Sequence, residues 1–267
     1  MKYAFMSFSA PSADLAELLR LARSFGYDGI EPRCGADHRH GIELGLTGPR
    51  ASELRRMCAD EGIEIACVAT SCSFADPAKA AAQVESARAY IELAALVGAK
   101  RLRVFGGAIP EGCERTRAFD SVVSSLKALA PAARASGVDV CMETHDSWCD
   151  AREVKRVMEA VADGSIRVNW DIMHPVLTAG QSIVEAFDLL SPWISHVHIH
   201  DGTRDDGQLR FLPIGTGKVD HLSAVRLLKK AKYSGYLSGE WIGWEAPELH
   251  LGRELGTMKK YEGEAGK

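Results

Sequence analysis

The chain has 267 residues and a mass of 28.9 kDa, with 46% hydrophobic and 25% charged residues and a net charge of −4. That composition suits a globular protein able to bury a full core, and without a basic run it speaks against a phosphate backbone or an anionic membrane as partner. No stretch approaches the ~20 apolar residues of a membrane helix.

The N-terminus runs straight into a strand-like segment, without the long apolar region of a signal peptide. Seven cysteines, odd in number and with no C-x-x-C pair, read as reduced core thiols. A cytoplasmic protein acting on a small molecule is expected, with a homo-oligomer left open.

Apolar, β-branched runs alternate with helical patterns about eight times. The first strand is Tyr3 to Ser7, followed by a helix signalled by Pro11-Ser12 with Leu15, Leu18, Leu19, Leu21 and Ala22 in its body. Gly26-Tyr27-Asp28-Gly29 breaks it and feeds Ile30-Glu31, which ends in Pro32-Arg33. A loop with His38, Arg39 and His40 leads to a helix around Arg50 to Glu61, and Ile63 to Val68 reads as strand three. An alanine-rich helix from about Pro77 to Val97 stops at Gly98, and Arg101 to Phe105 is strand four.

A helix around Arg115 to Ser136 precedes strand five, Val138 to Glu143, and a helix from Ala151 to Ala162 precedes strand six, Ile166 to Asp171. Strand seven begins near Trp193, a turn at Gly215-Thr216-Gly217 leads to a helix at about Asp220, strand eight is Tyr236 to Trp241, and Leu249 to Tyr261 closes the chain. Eight strand-then-helix units with no linker predict an α/β fold, one (β/α)8 barrel in a single domain over residues 1–267. Catalytic groups then belong at the C-terminal ends of strands.

Strand seven ends in His196-Val197-His198-Ile199-His200-Asp201. Alternate residues of a strand share a face, so the three imidazoles line one wall. With Glu143 ending strand five, Asp171 ending strand six and Glu240 ending strand eight, adjacent strands bring three carboxylates and His198 to one mouth. Carboxylates crowded in a buried site raise one another's pKa unless a cation stands among them. This oxygen-rich set with one imidazole suits one divalent ion, Mn²⁺, Mg²⁺ or Co²⁺ before Zn²⁺.

Glu143-Thr144-His145, Asp171-Ile172-Met173-His174, His198-Ile199-His200-Asp201 and Glu240-Trp241 resemble the motifs of the xylose-isomerase-like barrel superfamily of sugar isomerases and epimerases, which also holds keto-inositol dehydratases. The resemblance runs from Gly26-Tyr27-Asp28-Gly29-Ile30-Glu31 to Glu240. It implies one metal held by Glu143, Asp171, His198 and Glu240, with Glu143 and Glu240 as acid and base on opposite faces of the substrate. It also implies that His174 and Arg204 contact substrate. The epimerases carry a further glutamate shortly after the first ligand, where this chain has Ser147-Trp148-Cys149-Asp150.

A cation chelated by a ketone and its neighbouring hydroxyl stabilises an enediolate, and a carboxylate and an acid then move the proton. Return of the proton to carbon isomerises or epimerises; return to a β-hydroxyl expels water. The expected activity is therefore a metal-dependent isomerase or epimerase of a small sugar or hydroxy-keto acid. A dehydratase of a keto-cyclitol or dehydroshikimate-like acid is the alternative.

Two readings from other classes are weaker. A multi-zinc endonuclease on this barrel needs more histidine ligands and a basic face, and a metal-free binding protein predicts no ion.

Arg33 and Arg103 either grip a substrate carboxylate or phosphate or neutralise Glu31 and other barrel acids. His145 either binds substrate or supports a neighbour. His196 and His200 are expected to orient neighbours, and Glu31, across the mouth, to be a supporting acid or an arginine's partner. Trp148, Trp170, Trp241 and Trp244 either shape the pocket or fill the core.

Overall fold

The computed structural model describes residues 1–205 and 207–266. In chain order its elements are β1 (Lys2–Met6), α1 (Leu15–Phe25), β2 (Gly29–Glu31), α2 (Gly48–Glu61), β3 (Glu64–Ile65), β4 (Val68–Ser73), α3 (Ala80–Val97), β5 (Arg101–Phe105), α4 (Arg115–Ser136) and β6 (Asp139–Glu143). There follow α5 (Ala151–Val161), β7 (Ile166–Asp171), α6 (Met173–Leu177), α7 (Ile183–Leu190), β8 (Ile194–Ile199), the hairpin β9 (Asp201–Asp205) and β10 (Gln208–Leu212), α8 (His221–Lys230), β11 (Tyr236–Gly239) and α9 (Pro247–Glu264).

Nine strands form one sheet in the order β3-β2-β1-β11-β8-β7-β6-β5-β4, and their pairings are parallel. The sheet's two end strands, β3 and β4, are consecutive halves of one bent stave, so the sheet curls into a barrel of eight staves. The expected strand over 63–68 is thus interrupted at Ala66-Cys67 and carried on to Ser73. Its first half pairs with β2 and its second with β5. Across the bend, Ala66 donates to Ile30 O at 2.9 Å and Ala69 to Pro32 O at 3.0 Å, so the barrel wall stays hydrogen-bonded where the ladder turns. Thr70, Ser71 and Ser73 carry little apolar signal, which hid the second half from sequence reading.

The helices obey local rules. In α1 the Asp14 side chain accepts from the N–H of Glu17, and Leu15, Leu18, Leu19 and Ala22 form the buried stripe. Gly98 ends α3 with a φ of 85°, a left-handed conformation that costs glycine least. Four elements had no counterpart in the sequence reading: α6, α7 and the two hairpin strands β9 and β10. The helix α7 is capped by Ser182 and buries Ile183, Ala186, Phe187 and Leu190, a pattern short enough at eight residues to be passed over. The hairpin pairs a polar β9 with a β10 that carries Leu209, Phe211 and Leu212, and its antiparallel register joins Arg204 to Leu209 and Gly202 to Phe211. Among the described residues no helix is long and apolar enough to cross a membrane.

Candidate metal and substrate site

Register brings the site together. In the β7–β8 ladder Asp171 lies level with His198, in β8–β11 His198 lies level with Ser238, and in β6–β7 Glu143 lies level with Asn169. Glu240 follows Gly239, the last residue of β11. Glu143, Asp171, His198 and Glu240 are all buried, and each offers an atom within 4.8 Å of those of the others. The Nδ1 of His198 is 3.1 Å from Glu143 Oε1 and 3.2 Å from Glu240 Oε2. These separations suit neighbouring ligands of one ion, because bonds of about 2.1 Å at right angles put donor atoms about 3 Å apart.

Asp171 is held on both oxygens. Oδ1 accepts from the N–H groups of Met173 at 2.8 Å and His174 at 3.1 Å, and Oδ2 faces His200 Nε2 at 2.6 Å. His200 is fixed in turn by its Nδ1, which donates to Glu240 O at 2.9 Å. The sequence reading made His200 an orienting group, and in the structure its ring bridges Asp171 and the backbone of Glu240.

Beneath the four lies Arg103, 1% exposed. Its Nη1 donates to Thr70 O at 2.6 Å, its Nε is 3.1 Å from Glu143 Oε2, and its Nη2 is 3.7 Å from Glu240 Oε1. The guanidinium also covers the Phe105 ring at 4.1 Å. Burial alone would lower the pKa of Arg103, but Glu143 and Glu240 outweigh it and hold the charge. For His198, burial likewise pulls the pKa down, and the carboxylates of Glu31, Glu143 and Glu240 raise it well above the ordinary imidazole value. Burial pushes Glu240 up, and His198 with Arg103 brings it below the usual carboxylate range.

Arg33 is buried at the rim, donating to Cys34 O and Ser71 Oγ. Its charge is disfavoured by burial and then by Arg103. His145 packs against Phe105 with ring centroids 4.8 Å apart and against His174 at 4.3 Å. Its Nδ1 lies 3.0 Å from Asp146 Oδ1. Burial opposes charge on His145, but Asp146 and Glu143 prevail and push its pKa up to about 9. His174, 3.9 Å from Asp171 Oδ2, is kept low chiefly by burial. The rings of His145, His174, His200 and Phe211 thus form a continuous wall. Arg204 is not brought into it: the residue is exposed on β9 and donates to Gly207 O at 3.2 Å within the hairpin.

Where the sequence left two roles open, the contacts are these. Glu31, expected as a supporting acid or an arginine's partner, forms no ion pair with an arginine among the described residues and is fully buried in the barrel interior against His196 and His198. Trp148, Trp170 and Trp241 are core, and a side chain on Gly106 would collide with the Trp148 indole. Trp244 is the partly buried member, stacked on Trp241 at 6.5 Å. Asp201 escaped assignment because its partners lie far along the chain. It accepts from the N–H groups of Gly202, Gly215, Gly217 and Val219, so the Gly-Thr-Gly turn cradles the chain's own carboxylate.

Fold and site together define an α/β barrel with an acidic, histidine-containing mouth. Residues 19–261 match the family model of the xylose isomerase-like TIM barrel, and the chain belongs to that family. Among solved structures it is similar to the probable 3-DHS dehydratase AsbF of Bacillus anthracis (18% identity, 97% of this chain and 99% of that one, TM-score 0.81). It is also similar to D-psicose 3-epimerase of Clostridium cellulolyticum H10 (15%, 99% and 99%, 0.79). A third is a xylose isomerase-like TIM barrel protein of Mycobacterium smegmatis in complex with magnesium (18%, 99% and 97%, 0.78). At these identities the likeness is one of fold. No curated protein matches the chain by sequence.

Proposed function

We propose that the chain is a divalent-metal-dependent isomerase or epimerase of a small sugar or hydroxy-keto acid, working through an enediolate. The observation that carries this reading is the convergence of Glu143, Asp171, His198 and Glu240. Three buried carboxylates and one imidazole meeting at one point suit a cation among them. The mixture of oxygen ligands and one imidazole suits Mn²⁺, Mg²⁺ or Co²⁺. The magnesium complex of the mycobacterial barrel agrees with such an ion.

When bound, the ion polarises a substrate carbonyl and lowers the cost of the enediolate. The protein residues do the rest. Glu143 and Glu240 approach His198 Nδ1 from different strands, which suits one to take the proton from carbon and the other to return it. Arg103, against their outer oxygens, keeps Glu240 ionised and so able to act as a base. The wall of His145 and His174 orients substrate oxygens, and Phe105 and Phe211 close the wall's two ends.

The second reading, dehydration of a keto-cyclitol or dehydroshikimate-like acid, would use Arg33, which forms no ion pair among the described residues, to bind the substrate carboxylate, since Arg103 is held by Thr70, Glu143 and Glu240. The segment that replaces the epimerases' extra glutamate supplies no substitute. Asp150 is spent capping α5, accepting from Arg152 N, and Trp148 is core. The seven unpaired cysteines suit a reducing compartment, so cytoplasmic location is kept as part of the proposal.

The test is elemental analysis of the protein and of Glu240→Gln. It is followed by proton exchange in D₂O on ketoses, keto-cyclitols and dehydroshikimate-like acids. About one ion per chain, diminished in the variant, with exchange at a carbon next to a ketone, supports the proposal; water release from an acid selects the dehydratase. No metal after incubation with Mn²⁺ overturns both.

A further inference from the structure

Glu31 takes no part in the proton transfer described above, yet it is one of the most enclosed carboxylates in the barrel. It ends β2, which is separated from β8 by β1 and β11 in the sheet, so its contact with β8 crosses the barrel interior. Glu31 Oε2 lies 2.8 Å from His196 Nε2, and its two oxygens lie 3.1 and 3.3 Å from His198 Nε2. The opposite edge of the His198 ring faces the other carboxylates: Nδ1 is 3.1 Å from Glu143 Oε1 and 3.2 Å from Glu240 Oε2, with Asn169 Nδ2 at 3.1 Å.

A neutral imidazole has one N–H and one lone pair, and an ionised carboxylate only accepts. With a cation among Glu143, Asp171 and Glu240, the lone pair must lie on Nδ1 and the proton on Nε2, where Glu31 receives it. We infer that Glu31 is a positioning residue that selects Nδ1 of His198 as the ligand atom and fixes the plane of its ring. His196 holds Glu31 from the other side. A carboxylate accepting from the far nitrogen of a ligating histidine also raises its basicity. This inference rests on the proposal that a divalent ion binds at His198.

The role is separable from simple burial of a charge. Glu31→Gln keeps the shape and one acceptor oxygen but loses the negative charge. It is expected to weaken metal binding by ~10–100-fold, the range typical of such outer partners. Glu31→Asp, which keeps the charge, recovers part of the loss. Affinity is measured by chelator competition with Zn²⁺ on the full chain. The nitrogen is identified on ¹⁵N-histidine-labelled, Zn²⁺-loaded wild type by long-range ¹H–¹⁵N correlation.

The expected result is a His198 with Nε2–H and Nδ1 ligated, together with the affinity loss in Glu31→Gln. If that variant does not fold, the wild-type spectrum still decides. Ligation through Nε2, or unchanged affinity in a folded Glu31→Gln, overturns the inference and leaves the metal site standing. Absence of Zn²⁺ binding by wild type overturns both.

Discussion

Residue 217 must be glycine because the Asp201 carboxylate occupies the place of its side chain: a Cβ there would overlap Oδ1, while the N–H of Gly217 donates to Oδ2 at 2.9 Å. The hairpin β9–β10 begins at Asp201 and the loop to α8 closes on it, so one carboxylate ties both ends of the insertion over the mouth. Gly217→Ala is expected to cost ~1–3 kcal/mol, as overpacking does, which lowers the thermal midpoint by ~2–4 °C per kcal/mol. A calorimetric scan checks this; an unshifted midpoint would show that the loop yields freely.

Arg103 should matter most when the metal is gone. Arg103→Met leaves Glu143 and Glu240 without their guanidinium, and breaking a buried pair typically costs ~3–5 kcal/mol. A bound divalent ion takes over much of that compensation. Denaturation in chelator should show a large loss, and in excess Mn²⁺ a smaller one; equal losses in both would disconnect Arg103 from the carboxylates' charge.

Removing the ion should destabilise the wild type. At a free concentration ~100 times Kd a ligand of the native state contributes ~2.7 kcal/mol, and chelation withdraws it. In Glu240→Gln most of this metal-dependent increment disappears, and carbon proton exchange falls by ~10²–10⁴-fold, the usual contribution of an acid–base group. A variant that retains exchange assigns the base elsewhere.

Acid should loosen the loop between β2 and α2. His38 Nδ1 pairs with Ser7 Oγ at 2.7 Å. Burial, then His40 and Arg33, lowers its pKa from 6.5 to about 4. Between those values the unfolded chain binds the proton more readily than the native one, so stability falls as pH drops through this window. His40, His221 and His250 are also shifted down, chiefly by burial, and act in the same direction. His38→Gln should flatten the decline between pH 6.5 and 4. Midpoints that run parallel to wild type across that range would discount His38.

The barrel was legible because its periodicities are local. Alternating strand and helix patterns and the stop at Gly98 each act within a few residues and appear in the structure, whereas the start of α1 is set by Asp14 and not by Pro11-Ser12. The bend at Ala66-Cys67 was not legible, since it answers to two neighbouring strands at once. In the same way Trp148 looks alike in sequence whether it faces a pocket or a glycine, and only the approach of Gly106 makes it core.

By itself the sequence determined the strand ends on which Glu143, Asp171, His198 and Glu240 stand, because strand position follows from alternation and chain order. It could not say which way Glu31 pairs, that Arg103 lies under two glutamates, or that Asp201 closes a loop beginning 14 residues later. Those were decided by tertiary structure. Buried charges must find partners wherever the closed barrel brings them, and sequence separation puts no limit on that search.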